Sequence, residues 1–125
     1  MSYSLNVEPR STYLFISVTG EISVDTVSSY LAEVIEWCQQ LKCPNALIVE
    51  DLSGPSLRTA RIYQLISRLS AQAAKVIGRL AYVDINHAHD QVGLKFAEDV
   101  AVNRGVLVQV FTTVKEAEAW LESEE

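Results

Sequence analysis

Apolar and polar residues alternate from Ser2 to Val7, pause at Glu8-Pro9-Arg10-Ser11, and resume as the strand formers Tyr13 to Val18. A period of two on either side of a proline-containing turn predicts an antiparallel hairpin. After Gly20 the period changes. Val27, Leu31, Val34, Ile35, Cys38 and Leu41 recur at helical spacing behind Ser23, a residue suited to capping a helix start. Lys42-Cys43-Pro44-Asn45 breaks this helix, and Ala46 to Val49 is a short unbroken apolar run, the pattern of a strand covered on both faces. Glu50 to Pro55 reads as a polar turn.

The alternation continues to the end of the sequence. Ile62, Ile66, Leu69 and Ala73 mark the inner face of a second helix from about Leu57 to Ala73. Val76 to Val83 reads as a strand, Asp84 to Asp90 as a loop, and Asp90 to Asn103 as a helix stopped by Gly105. Val106 to Phe111 is the last strand. Thr113 and Glu116 form a T-x-x-E capping box, in which each side chain can satisfy the other's backbone donor, opening a helix that docks through Ala117, Trp120 and Leu121. The predicted order is β-β-α-β-α-β-α-β-α: an α/β fold with a mixed, mostly parallel sheet and an N-terminal antiparallel hairpin.

Length and composition narrow the possibilities. At 125 residues, 49% hydrophobic and 21% charged, residues 1–125 are expected to form one globular domain. A net charge of −6 argues against the electrostatic grip that nucleic-acid binding needs. The charge is unevenly spread, however. No acid lies between Asp51 and Asp84, a stretch holding Arg58, Arg61, Arg68, Lys75 and Arg79, whereas Glu116 to Glu125 is acidic. No apolar run approaches the roughly 20 residues that span a bilayer. Nothing at the N-terminus reads as a secretory signal, and Cys38 and Cys43 match neither a C-x-x-C redox pair nor a zinc half-site, so a soluble protein in the reducing cytoplasm is expected.

Three segments carry a resemblance to a known family: Thr19-Gly20-Glu21, Leu47-Ile48-Val49-Glu50-Asp51-Leu52-Ser53-Gly54, and Val110 to Leu121 with its Ala-x-Ala-Trp-Leu ending. Together they resemble the STAS domain of anti-sigma-factor antagonists, and more closely the SpoIIAA-like, or STAS/SEC14-like, family of small bacterial proteins. The resemblance implies a STAS-like fold and a protein partner. It also implies a regulatory serine in an Asp-Ser-Ser/Thr-Gly motif at the start of the second helix. In register from Asp51 that motif falls on Thr59-Ala60-Arg61-Ile62, and the serine position is Ala60. A regulator of this kind would work without the usual phosphoserine switch. The nearest hydroxyls, Ser56 and Thr59, are expected as helix caps.

The remaining candidate chemistry is sparse. Ser53, Ser56, Arg58, Thr59, Arg61 and Arg68 are candidate interaction or regulatory residues, the arginines because they share one helix face. His87 and His89, with Asp84 and Asp90, form the one cluster that resembles a metal or acid/base site, against the plainer reading of a polar loop with Asp90 as a cap. Tyr30 and Trp37 flank the first helix's apolar stripe, either as the edge of the core or as the centre of a homodimer contact. Nucleophile-elbow, P-loop, dinucleotide and zincin motifs are absent, so neither a catalytic residue nor a cofactor is expected. The leading expectation is a non-enzymatic regulatory or protein-interaction module. A small-molecule or lipid-binding domain of SEC14-like type is the alternative, and an enzyme built on His87 and His89 ranks last.

Overall fold

Strands and helices alternate as the hydropathy pattern predicts, in a computed structural model that describes residues 3–123. The elements are β1 (Tyr3–Pro9), β2 (Leu14–Glu21), α1 (Val24–Gln40), β3 (Asn45–Ser53), α2 (Thr59–Val76), β4 (Arg79–Asp84), α3 (Gln91–Asn103), β5 (Val108–Phe111) and α4 (Val114–Glu122). Ser2, with which the first predicted strand began, and Glu124 and Glu125 of the acidic end lie outside the described residues.

The sheet runs β1-β2-β3-β4-β5. β1 and β2 form the predicted hairpin, registered Tyr3 on Gly20 through Pro9 on Leu14, and every later pair is parallel. Right-handed crossovers that always step in the same direction place their helices on one face, so α1, α2 and α3 share a side of the sheet. Leu14, Ile16, Val18, Ala46, Ile48 and Leu52 form the core beneath them. The opposite face belongs to α4, whose Ala117 and Leu121 close over Tyr13, Leu47, Ala81 and Val83.

Local chemistry fixes the helix ends. Ser23, Asp90 and Thr113 each accept a backbone N–H of the helix that follows, from Thr26, Val92 and Glu116. The second arm of the expected capping box is redirected: Glu116 accepts from the Thr112 hydroxyl at 3.1 Å. α1 unwinds through Lys42 at φ 54, with the Cys43 N–H on the Cys38 carbonyl. Gly105, at φ 93, supplies the left-handed residue beyond α3.

Several boundaries differ from expectation: β2 runs on through Glu21 and α2 starts at Thr59. β3 continues through Glu50-Asp51-Leu52-Ser53, which the polar composition had marked as a turn. α2 extends through Val76, and β4 starts only at Arg79, because the apolar Val76-Ile77 pair packs on the helix side of the core rather than beginning a strand. β5 begins at Val108, since Val106 is buried in the connection while Leu107 is exposed. The predicted inner face of α2 is only partly packed: Ile62, Ile66 and Leu69 are half-buried, and the buried members are Leu65, Ser70 and Ala73.

Candidate functional site

Parallel strands end together at one edge of a sheet, and that edge is where α/β folds commonly place their sites. Here the pairing of β3 with β4 ends with Glu50 directly beside Asp84, both pointing to the side covered by α1–α3. Each is almost wholly buried, at 2% and 5% exposure. Two carboxylates in register on neighbouring strands repel one another and are costly to bury unless they are paired and hydrogen-bonded.

Their partners come from the loop after β4, from α1 and from β4 itself. The loop after β4 carries His89, itself 5% exposed, whose Nδ1 lies 2.6 Å from Asp84 Oδ2 and whose Nε2 lies 2.8 Å from the Gly54 carbonyl. Each ring nitrogen therefore has an acceptor as its nearest partner, with the Asn86 amide nitrogen farther from Nε2 at 3.4 Å, an arrangement best satisfied when both carry protons. Burial alone would lower the affinity of His89 for its second proton. The hydrogen bonds to Asp84 and to Gly54 outweigh it and raise the imidazole above its ordinary value. Asp84 also accepts the Asn86 N–H at 2.9 Å.

Glu50 is held from above by α1. The Tyr30 hydroxyl donates to its carboxylate, and Tyr82 of β4 presents a second hydroxyl to the same group. Burial pushes the Glu50 carboxyl above the usual value against these two hydroxyls, which favour the ionised form. Tyr30 and Tyr82 are in turn raised well above the ordinary phenol by burial and by the neighbouring carboxylate.

Glu50, Asp84 and His89 offer ligand atoms within 4.8 Å of one another. Both ring nitrogens, however, are engaged: a cation would have to displace either Asp84 or the Gly54 carbonyl from a ring nitrogen. For the same reason His89 is poorly placed to accept a proton as a base.

A cavity of about 160 Å³ opens directly above this cluster, between α1, α2, α3 and the sheet. Its walls are apolar, and Tyr30, Glu50, Tyr82, Asp84 and His89 contribute to its lining. Ile62, Ile66 and Leu69 line it too, which explains why the inner face of α2 is half-buried: these side chains border open space rather than the sheet.

The residues singled out from sequence are distributed differently. His87 is exposed while His89 is buried, so the two do not converge on one ligand. Asp90 caps α3 as expected. The Ser56 hydroxyl accepts the Asp90 N–H at 2.8 Å instead of capping α2. Thr59 is the first residue of α2, and its N-cap is Arg58, with no side-chain hydrogen bond. Ser53 donates to the Gly20 carbonyl. Arg68 donates to Ser28 on α1 at 2.6 Å, which separates it from Arg58 and Arg61; among the described residues those two are exposed and make no salt bridge. Tyr30 is fully buried and cannot form a dimer contact; Trp37 is half-buried beside the hairpin.

Glu50, Tyr30 and Tyr82 were not recognisable as site residues beforehand. The one available signal was the Glu50 acid directly following four apolar strand residues, at the point where a parallel strand reaches its C-terminal edge.

No family model matches the chain, and no curated protein matches it in sequence. Its structure is similar to the crystal structure of an anti-sigma factor antagonist from Mycobacterium paratuberculosis, with a TM-score of 0.62 and 18% sequence identity over 98% of this chain and 96% of that one. At that identity the likeness establishes the fold, which is STAS-like. Among the described residues, no helix is long and apolar enough to cross a membrane.

Proposed function

We propose that the protein is a non-enzymatic regulatory module that docks an acidic segment of another protein at the start of α2, without a phosphoserine switch. The observation that carries this reading is the state of that helix end. Its N-cap has no side-chain hydrogen bond and its first turn has no acid, so the positive end of the helix dipole is uncompensated. Arg58 and Arg61 add two exposed cations that make no salt bridge among the described residues.

The likeness to an anti-sigma factor antagonist supports a protein partner in preference to a substrate. Ala60, at the position where the resemblance puts the serine, is exposed and has no hydroxyl to modify. The commitment of both His89 nitrogens to acceptors weighs against the histidine-loop enzyme.

The test is a paired affinity capture from the native cytoplasm with the wild-type protein and the Arg58→Glu/Arg61→Glu double variant, followed by titration of any stoichiometric partner at two salt concentrations. The reading expects one partner that the double variant loses by tenfold or more, about 1.4 kcal/mol, and whose affinity falls with salt. A partner retained equally by both proteins refutes the assignment of the surface.

A further inference from the structure

Protein interiors pack to the density of organic crystals and hold few voids larger than a water molecule. The space beneath α2 departs from that rule. At about 160 Å³ it is on the scale of an engineered apolar cavity, roughly 150 Å³, that accepts benzene. The sequence leaves the space open at several places at once. The inner face of α2 contributes Ile62, Ile66 and Leu69 without covering them, and Gly93 lines the space from the first turn of α3. A Cβ at Gly93 would meet only Ile62 Cδ1, at an ordinary 3.7 Å, so close packing does not exclude a side chain there.

The polar end of the cavity has a definite character. Of the donors beside the carboxylates, the Tyr30 hydroxyl goes to Glu50, Tyr82 presents its hydroxyl to the same group, and the two His89 nitrogens face Asp84 and Gly54. Carboxylate oxygens accept about four hydrogen bonds per group, so Glu50 and Asp84 leave this end rich in acceptors. An anion entering here would meet two acidic groups. A molecule with a donor of its own would meet a matching acceptor.

We propose that this cavity is a binding site for a compact, uncharged molecule whose apolar body, about the size of one or two fused rings or a six-carbon chain, lies among Ile62, Leu65, Ile66, Leu69 and Leu94, and whose single hydrogen-bond donor points to Glu50. The site is separate from the surface at Arg58 and Arg61 and does not depend on that assignment.

Three probes of related shape test the claim by following backbone amide signals of the labelled protein: indole, 1-hexanol and hexanoate. Indole and 1-hexanol are expected to shift the signals of Leu65, Tyr82 and Gly93 saturably, with dissociation constants below about 1 mM. Hexanoate, which has the same apolar chain ending in an anion, is expected to bind at least about tenfold more weakly. The variant Gly93→Leu fills the space from α3 and is expected to lose binding of indole and 1-hexanol by tenfold or more while keeping a cooperative unfolding transition. If that variant does not fold, Ile62→Trp fills the space from α2 with the same expected loss. Absence of saturable shifts at the cavity residues, or full binding by a folded plugged variant, overturns the site. Hexanoate binding as tightly as 1-hexanol overturns its chemical class.

Discussion

Replacing His89 with alanine removes a side chain that bridges Asp84 at the end of β4 and Gly54 in the loop after β3. Asp84 would retain only the Asn86 N–H, and the Gly54 carbonyl would lose the ring nitrogen at 2.8 Å. The Asp84 and His89 side chains are 1% and 3% exposed, so water cannot readily replace the missing partner. Breaking a buried charged pair by removing one member costs about 3–5 kcal/mol. That is a large share of the roughly 5–15 kcal/mol that holds a domain of this size together, and it corresponds to a fall in Tm of about 10–20 °C. Urea unfolding followed by the fluorescence of Trp37 and Trp120 would measure it.

The pH dependence supplies a second arm. The folded imidazole is raised above 6.5, so the stability it contributes is complete below 6.5 and is lost as pH rises through the folded value. The Glu50 carboxyl, raised above 4.5 chiefly by burial, contributes in the same direction from a lower starting point. The gap between wild type and His89→Ala is therefore expected to be wider at pH 6 than at pH 9. A loss below about 1 kcal/mol, the size of one ordinary hydrogen bond, or a gap that widens with pH, refutes the account of a buried, doubly donating imidazolium.

Two further outcomes are expected. Gly54→Ala places a side chain at φ 111, with its Cβ 2.8 Å from Ile22 Cγ2, and is expected to cost about 1–3 kcal/mol of backbone strain, read as a lower urea midpoint; an unchanged midpoint contradicts it. Cys38 is buried and its thiol is pushed up to about 12 by burial, whereas Cys43 is half-buried, so iodoacetamide at pH 8 should label Cys43 first, as mass spectrometry of the digested protein would show; equal labelling of the two contradicts the assigned packing.

Periodicity located every helix and strand because each helix has a single buried face and the central strands are covered on both. It misjudged boundaries where chemistry and conformation part company. Glu50 to Ser53 has the composition of a turn, yet those residues complete β3 because Glu50 finds its partners across the sheet and Leu52 reaches the core. The site was legible only in part. Asp84 and His89 stood out as a polar loop, and the separate fates of His87 and His89 follow from which of them the loop turns inward. The pairing of Glu50 with Asp84 is a property of strand register across 34 positions, and the approach of Tyr30 depends on how α1 settles on the sheet; neither leaves a local trace in the chain. The half-buried face of α2 was likewise invisible, since an apolar stripe looks the same whether it meets a core or a cavity.

The division of labour between the two faces of the sheet bears on how the chain acquires its structure. During synthesis the strands and the helices α1 to α3 are made in an order that lets each join its immediate predecessor, and one side of the sheet can fill progressively. The other side waits. Leu47, Ala81 and Val83 find their cover only when the nine residues of α4 exist. Until then a growing chain with all five strands complete still presents an apolar surface to its surroundings, so the last helix sets the moment at which the nascent protein ceases to be prone to sticking.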